Sequence, residues 1–101
     1  MNIIIGKDTS KYVDKKDYIV LNSICELKFY KGVYNLILDD VIINEEGYIE
    51  GRDISLDEIL ISIDVRMIIS NNINDKLLEI GKYYKIPILH NTWKKLNFRV
   101  K

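Results

Sequence analysis

At 101 residues the chain has the length of one domain, and with 48% apolar residues it can close a single core. Fifteen basic and fifteen acidic side chains cancel, which argues against a partner held by bulk charge, such as duplex DNA or an anionic membrane surface. No apolar run reaches the roughly 20 residues of a membrane span, and the start lacks the basic-then-apolar order of a secretory signal. The chain is therefore expected to be cytoplasmic. Cys25 is the lone cysteine, in the apolar context Ser23-Ile24-Cys25-Glu26-Leu27, so it reads as a small buried hydrophobe in a reducing compartment. Nineteen isoleucines, with no alanine or glutamine, suit an AT-rich genome, that of a low-GC bacterium, its phage or an AT-rich virus.

In chain order, Asn2 to Ile5 is a β-branched run ended by Gly6, a buried strand. Polar residues Lys7 to Lys11 and a charged connector, Val13 to Asp17, lead to a second strand at Tyr18 to Leu21. Glu26 to Tyr30 alternate polar and apolar residues, and a short strand or one helical turn fits them equally well. From Val33 to Ile54 the pattern is that of an antiparallel hairpin. Two β-rich runs, Tyr34 to Ile43 and Tyr48 to Ile54, flank Asn44-Glu45-Glu46-Gly47, whose glycine can take the positive φ of a hairpin exit.

Ser55 to Glu58 forms a capping box that opens a helix of about two turns, with Leu56, Ile59, Leu60 and Ile63 on its core face. A strand at Arg66 to Ser70 follows, then a helix from about Ile73 to Tyr84 whose buried stripe is Ile73, Leu77, Ile80 and Tyr84. Gly81 beside that stripe allows close packing on a sheet. A strand at Ile86 to Leu89 completes a β-α-β crossover, and Asn91 or Thr92 can cap a last short helix carrying Trp93 and Leu96. The expected fold is one α/β domain over residues 1–101, with a mixed sheet combining this C-terminal β-α-β-α unit with the middle hairpin.

Strands joined by a helical crossover run parallel, so Ser70-Asn71-Asn72 and His90-Asn91-Thr92 emerge at one carboxyl edge. If the first strand is parallel to them, Lys7, Asp8, Thr9 and Ser10 join that edge, where open α/β sheets bind ligands. Lys7, Asp8, Thr9, Ser70, Asn71, Asn72, Lys76 and His90 are accordingly the candidate ligand-binding residues. Turn chemistry alone also predicts asparagine, serine and threonine at such junctions.

His90 is the only histidine, and a zinc site needs partners it lacks. The acidic residues of the middle third suggest a Mg²⁺ site, yet neighbouring strand residues such as Asp39 and Asp40 point to opposite faces and are not expected to share an ion. They read instead as a solvated acidic face. Glu45, Glu46 and Glu50 are the candidate contacts for a basic protein partner. No metal, cofactor or catalytic group is expected, because no nucleophile–base pair can be assembled by spacing.

The run Val65-Arg66-Met67-Ile68-Ile69-Ser70, with Lys76 opening the next helix, then Ile86-Pro87-Ile88-Leu89 and Trp93, resembles the C-terminal half of a BRCT domain over about residues 65–98. That resemblance implies a core role for Trp93 and a phosphate-facing role for Lys76. The glycine-marked first half of such a domain is absent. The same run, with Asp8-Thr9-Ser10 after an apolar strand, is also similar to a PIN-type nuclease, although Asn71 and Asn72 stand where a metal-binding aspartate belongs. The leading expectation is a non-enzymatic protein-interaction module. The alternative is a protein that binds a nucleotide or phosphorylated ligand at the carboxyl edge, with weak hydrolysis through His90.

Overall fold

The computed structural model describes residues 2–6 and 18–90. These form strands β1 (Asn2–Gly6), β2 (Tyr18–Val20), β3 (Val33–Asp39), β4 (Asp64–Ser70) and β5 (Ile88–His90). A 3-10 helix (Ile24–Phe29) and helices α1 (Leu56–Ser62) and α2 (Asp75–Tyr84) lie between them. The strands make one five-stranded sheet in the order β2-β1-β3-β4-β5, and every neighbouring pair is parallel. This corrects the expected mixed sheet.

The antiparallel hairpin fails for a physical reason. Val33 to Asp39 is a nearly continuous apolar run, and such runs suit a strand buried on both faces between parallel neighbours. Tyr34, Leu36, Ile37, Leu38 and Asp39 are all buried there. The second run, Tyr48 to Ile54, does not extend as a strand. It makes only two isolated antiparallel contacts, Ile43 with Ile49 and Tyr48 with Ser55. Residues 40–55 instead fold into two successive turns, with Ile43, Ile49 and Ile54 buried as a plug. The first turn is the expected one: the Asn44 carbonyl accepts from the Gly47 amide, and Gly47 has φ +86°.

Alternation along the strands sorts the core into two faces. Ile3, Ile5, Leu36, Leu38 and Ile68 face the 3-10 helix, α1 and α2. Ile4, Ile37 and Ile69 form a smaller buried group on the other face. All four expected core positions of α1 are buried. In α2, Leu77 and Ile80 are buried, while Ile73 and Tyr84 are partly so.

Helix ends obey the local chemistry. Ser55 accepts from the Glu58 amide at 3.4 Å, and Asn74 caps α2 by accepting from the Leu77 amide at 2.9 Å. Residues 24–29 resolve into the 3-10 helix, held by Glu26, whose carboxylate accepts from the amides of Asn22 and Ser23. Cys25 is exposed on it, contrary to expectation, because the helix turns Leu27 and not Cys25 toward the core. The strand at Asn2, the β4-α2-β5 crossover and its parallel sense match the expected pattern. Trp93 and the last helix lie outside the described residues.

Gly81 is required where α2 meets β5. A Cβ there would lie 2.5 Å from Ile88 Cδ1 and 3.1 Å from the Ile86 carbonyl oxygen. Alanine would gain roughly 1 kcal/mol of helix propensity, yet overpacking costs about 1–3 kcal/mol. Gly81→Ala is therefore expected to lower stability in urea denaturation, and Ile88→Val in the same chain, which removes the nearest carbon, to restore part of the loss.

Candidate functional site

From β1 the chain moves to β2 on one side, and then returns to place β3 on the other. The sheet order therefore reverses at the β1–β3 pair, and open α/β sheets bind ligands outside the carboxyl ends of their strands at such a point. Gly6 and Asp39, the last residues of these strands, are register partners. Asp39 is only 1% exposed, which makes it a carboxylate withdrawn from water and not part of a solvated acidic face.

Burial of a carboxylate demands donors, and Asn71, just past β4, supplies one. Its Nδ2 donates to Asp39 Oδ1 at 3.2 Å and to Asp40 Oδ1 at 3.1 Å. Its Oδ1 accepts from the Asp40 amide at 2.9 Å. Asp39 and Asp40 thus do converge, against the alternation argument. Asp40 has left the strand: its φ of +58° swings the backbone into the left-handed region, and the two side chains no longer oppose each other.

The other half of the edge comes from the second turn of residues 40–55. Arg52 Nη1 donates to the Gly6 carbonyl at 2.7 Å, so this half-buried side chain reaches back to the end of β1. Among the described residues no carboxylate lies within ion-pair distance of its guanidinium. Asp40, Val41, Ile42, Glu50, Gly51 and Arg52 line an open depression of about 240 Å³.

The remaining candidates are distributed less tightly. Ser70 is fully buried; its hydroxyl donates to the Asn72 carbonyl at 3.0 Å and accepts from the Asn72 amide at 3.1 Å, a local turn. His90 is the register partner of Ser70 and is exposed at the end of β5. Lys76 pairs with Glu79 at 3.2 Å and lines a separate hollow with Asp57, Ile80, Tyr83 and Tyr84. Lys7, Asp8 and Thr9 lie outside the described residues. Glu45, Glu46 and Glu50 are exposed on the double turn. Among the described residues no group of three or more His, Cys, Asp or Glu is placed to hold a metal ion, and no helix is long and apolar enough to cross a membrane.

Arg52 was missed by sequence reasoning, which assigned it to a strand. Its signal was present in Glu50-Gly51-Arg52-Asp53, a polar stretch with a central glycine that suits a turn; Gly51 has φ +79°. No family model, curated protein or solved structure matches the chain.

Removing the amide that joins the two aspartates takes a donor from a buried carboxylate. Asn71→Ala is expected to cost about 1–3 kcal/mol in urea denaturation. An Asp39→Asn change in the same background should recover part of this, a coupling readable from a double-mutant cycle.

A pH effect is expected at the separate hollow. The Tyr84 hydroxyl donates to Asp57 Oδ1 at 2.9 Å, and this bond, followed by burial, raises the phenol above its ordinary value. The neutral phenol is the form favoured by folding. Its stabilising contribution is thus complete below the ordinary tyrosine value and is lost as the pH rises through the raised one. Alkaline titration of tyrosinate absorbance, taken as the difference between the native chain and Tyr84→Phe, should show late ionisation. Asp57→Ala should shift it earlier.

Proposed function

We propose that this chain is a small-ligand-binding protein whose ligand lies over the carboxyl edge at the β1–β3 reversal. The observation that carries the reading is the buried Asp39, which is paired in register with Gly6 and joined through Asn71 to Asp40. Two strands and two turns bring polar groups together there, and Arg52 adds a cation fixed by a hydrogen bond to Gly6. Such preorganised polar groups beside a concave surface are the usual makings of a ligand site.

A second reading, a protein-interaction module, is supported by the double turn. Glu45, Glu46 and Glu50 are exposed on it together with the apolar side chains of Ile42 and Tyr48, a surface suited to a basic partner. The similarity to BRCT domains over residues 65–98 favours this reading through β4, α2 and β5 alone. Lys76, to which that similarity gives a phosphate-facing role, pairs with the exposed Glu79 on α2.

The two readings part in amide spectra of the isotope-labelled chain titrated with nucleotides and common metabolites. The ligand reading expects perturbed amides at Gly6, Asp39 to Ile42, Arg52 and Asn71, with loss of the response in Asn71→Ala. Spectra unmoved by every small molecule, with shifts at Glu45, Glu46 and Tyr48 on adding a basic protein, would overturn it. Charge reversal of Glu45, Glu46 and Glu50 should then abolish that complex while changing stability by no more than about 0.5 kcal/mol.

A further inference from the structure

Arg52, at the carboxyl edge, is held through one of its donors. A guanidinium carries five N–H donors in a planar fork, and the only hydrogen bond of the Arg52 side chain among the described residues is the one from Nη1 to the Gly6 carbonyl. That bond anchors one side of the group and leaves the rest available to an oxyanion, which the fork binds through two parallel hydrogen bonds.

The surroundings narrow the anion. Glu50 lines the same depression, so a doubly charged phosphate ester would meet more repulsion there than a singly charged carboxylate. Glu50 is exposed, and its carboxylate is suited to a cation next to that anion. Val41 and Ile42 supply an apolar wall, and the volume of about 240 Å³ is below the ~300–1,000 Å³ typical of drug-sized pockets.

Resting on the carboxyl-edge reading, we propose that this depression binds a small zwitterion of the amino-acid type. Its carboxylate lies on the Arg52 fork, its ammonium faces Glu50, and its apolar side chain lies against Ile42.

Calorimetry and thermal shift with the full chain test this, using L-leucine, 4-methylpentanoate without the ammonium, isopentylamine without the carboxylate, inorganic phosphate and adenosine monophosphate. Leucine should bind and raise the melting temperature, and each truncated analogue should bind at least about tenfold more weakly. Arg52→Gln should abolish leucine binding, and Glu50→Gln should weaken it. Arg52→Lys, which keeps a donor for the Gly6 carbonyl but loses the fork, should bind at least about tenfold more weakly while remaining folded. Leucine binding that survives in Arg52→Lys, or matched by 4-methylpentanoate, overturns the proposal. If leucine gives no response but adenosine monophosphate or phosphate perturbs the amides of Gly6, Asp39 and Asn71, the zwitterion assignment fails and the carboxyl-edge reading stands. If no probe perturbs that edge, both fail.

Discussion

The in-register parallel pairing of β1 with β3 is the constraint on which the other elements depend. Once Asn2 to Gly6 lies beside Asn35 to Asp39, the chain between them must return across the sheet, and β2 takes the outer position. β3 is then enclosed on both sides and both faces, which suits its apolar run. Each later strand must be reached by a crossover. Leu36, Leu38 and Ile68 present the apolar face on which α1 and α2 bury their own stripes. A slip of one residue in the β1–β3 register would turn Ile3 and Ile5 to the opposite face and separate Gly6 from Asp39.

That register also determines the character of the carboxyl edge. Asp39 ends β3 while still enclosed by its neighbours, so a carboxylate sits where water is largely excluded. Such a group is expensive to leave unpaired, and the chain answers it with the turn after β4. Asn71 can serve both Asp39 and Asp40 because the left-handed backbone at Asp40 removes the strand alternation at that residue. The polar edge is therefore tied to the core through hydrogen bonds, and it is not a loose fringe of turn residues.

Much of this fold was legible in the sequence, and the failures have physical causes. Helical periodicity marked α1 and α2, and the tight junction at Gly81 was readable because a glycine beside a buried stripe has few other uses. Parallel alignment of β4 and β5 came from the crossover. The run at Val33 to Asp39 misled because a turn signal lay just beyond it. Asn44 to Gly47 is a genuine turn, but local turn chemistry does not say whether the strand before it pairs with the next segment or with distant ones. Cys25 is misleading because its apolar neighbours have the pattern of a buried run, whereas the 3-10 helix buries Leu27 and leaves Cys25 exposed. At the site, Asn71 was identified from its place after a strand. Arg52 was not: the glycine turn that carries it is legible in Glu50-Gly51-Arg52-Asp53, but its contact with Gly6 spans 46 residues, and local pattern does not pair positions that far apart.

The double turn of residues 40–55 couples core and edge. Its inward side is the plug of Ile43, Ile49 and Ile54, and its outward side carries Glu50 and Arg52 into the depression. Asn74 fastens it from a third direction, because its Nδ2 donates to the Ile43 carbonyl at 2.9 Å while its Oδ1 caps α2. A buried apolar plug is what lets a long, entropy-rich arginine be held at a defined place with no ion pair to it among the described residues. The same segment that defeated the hairpin assignment thus positions Arg52 at the carboxyl edge. It does so because it is too short of strand pairing to extend and too apolar inside to remain in water.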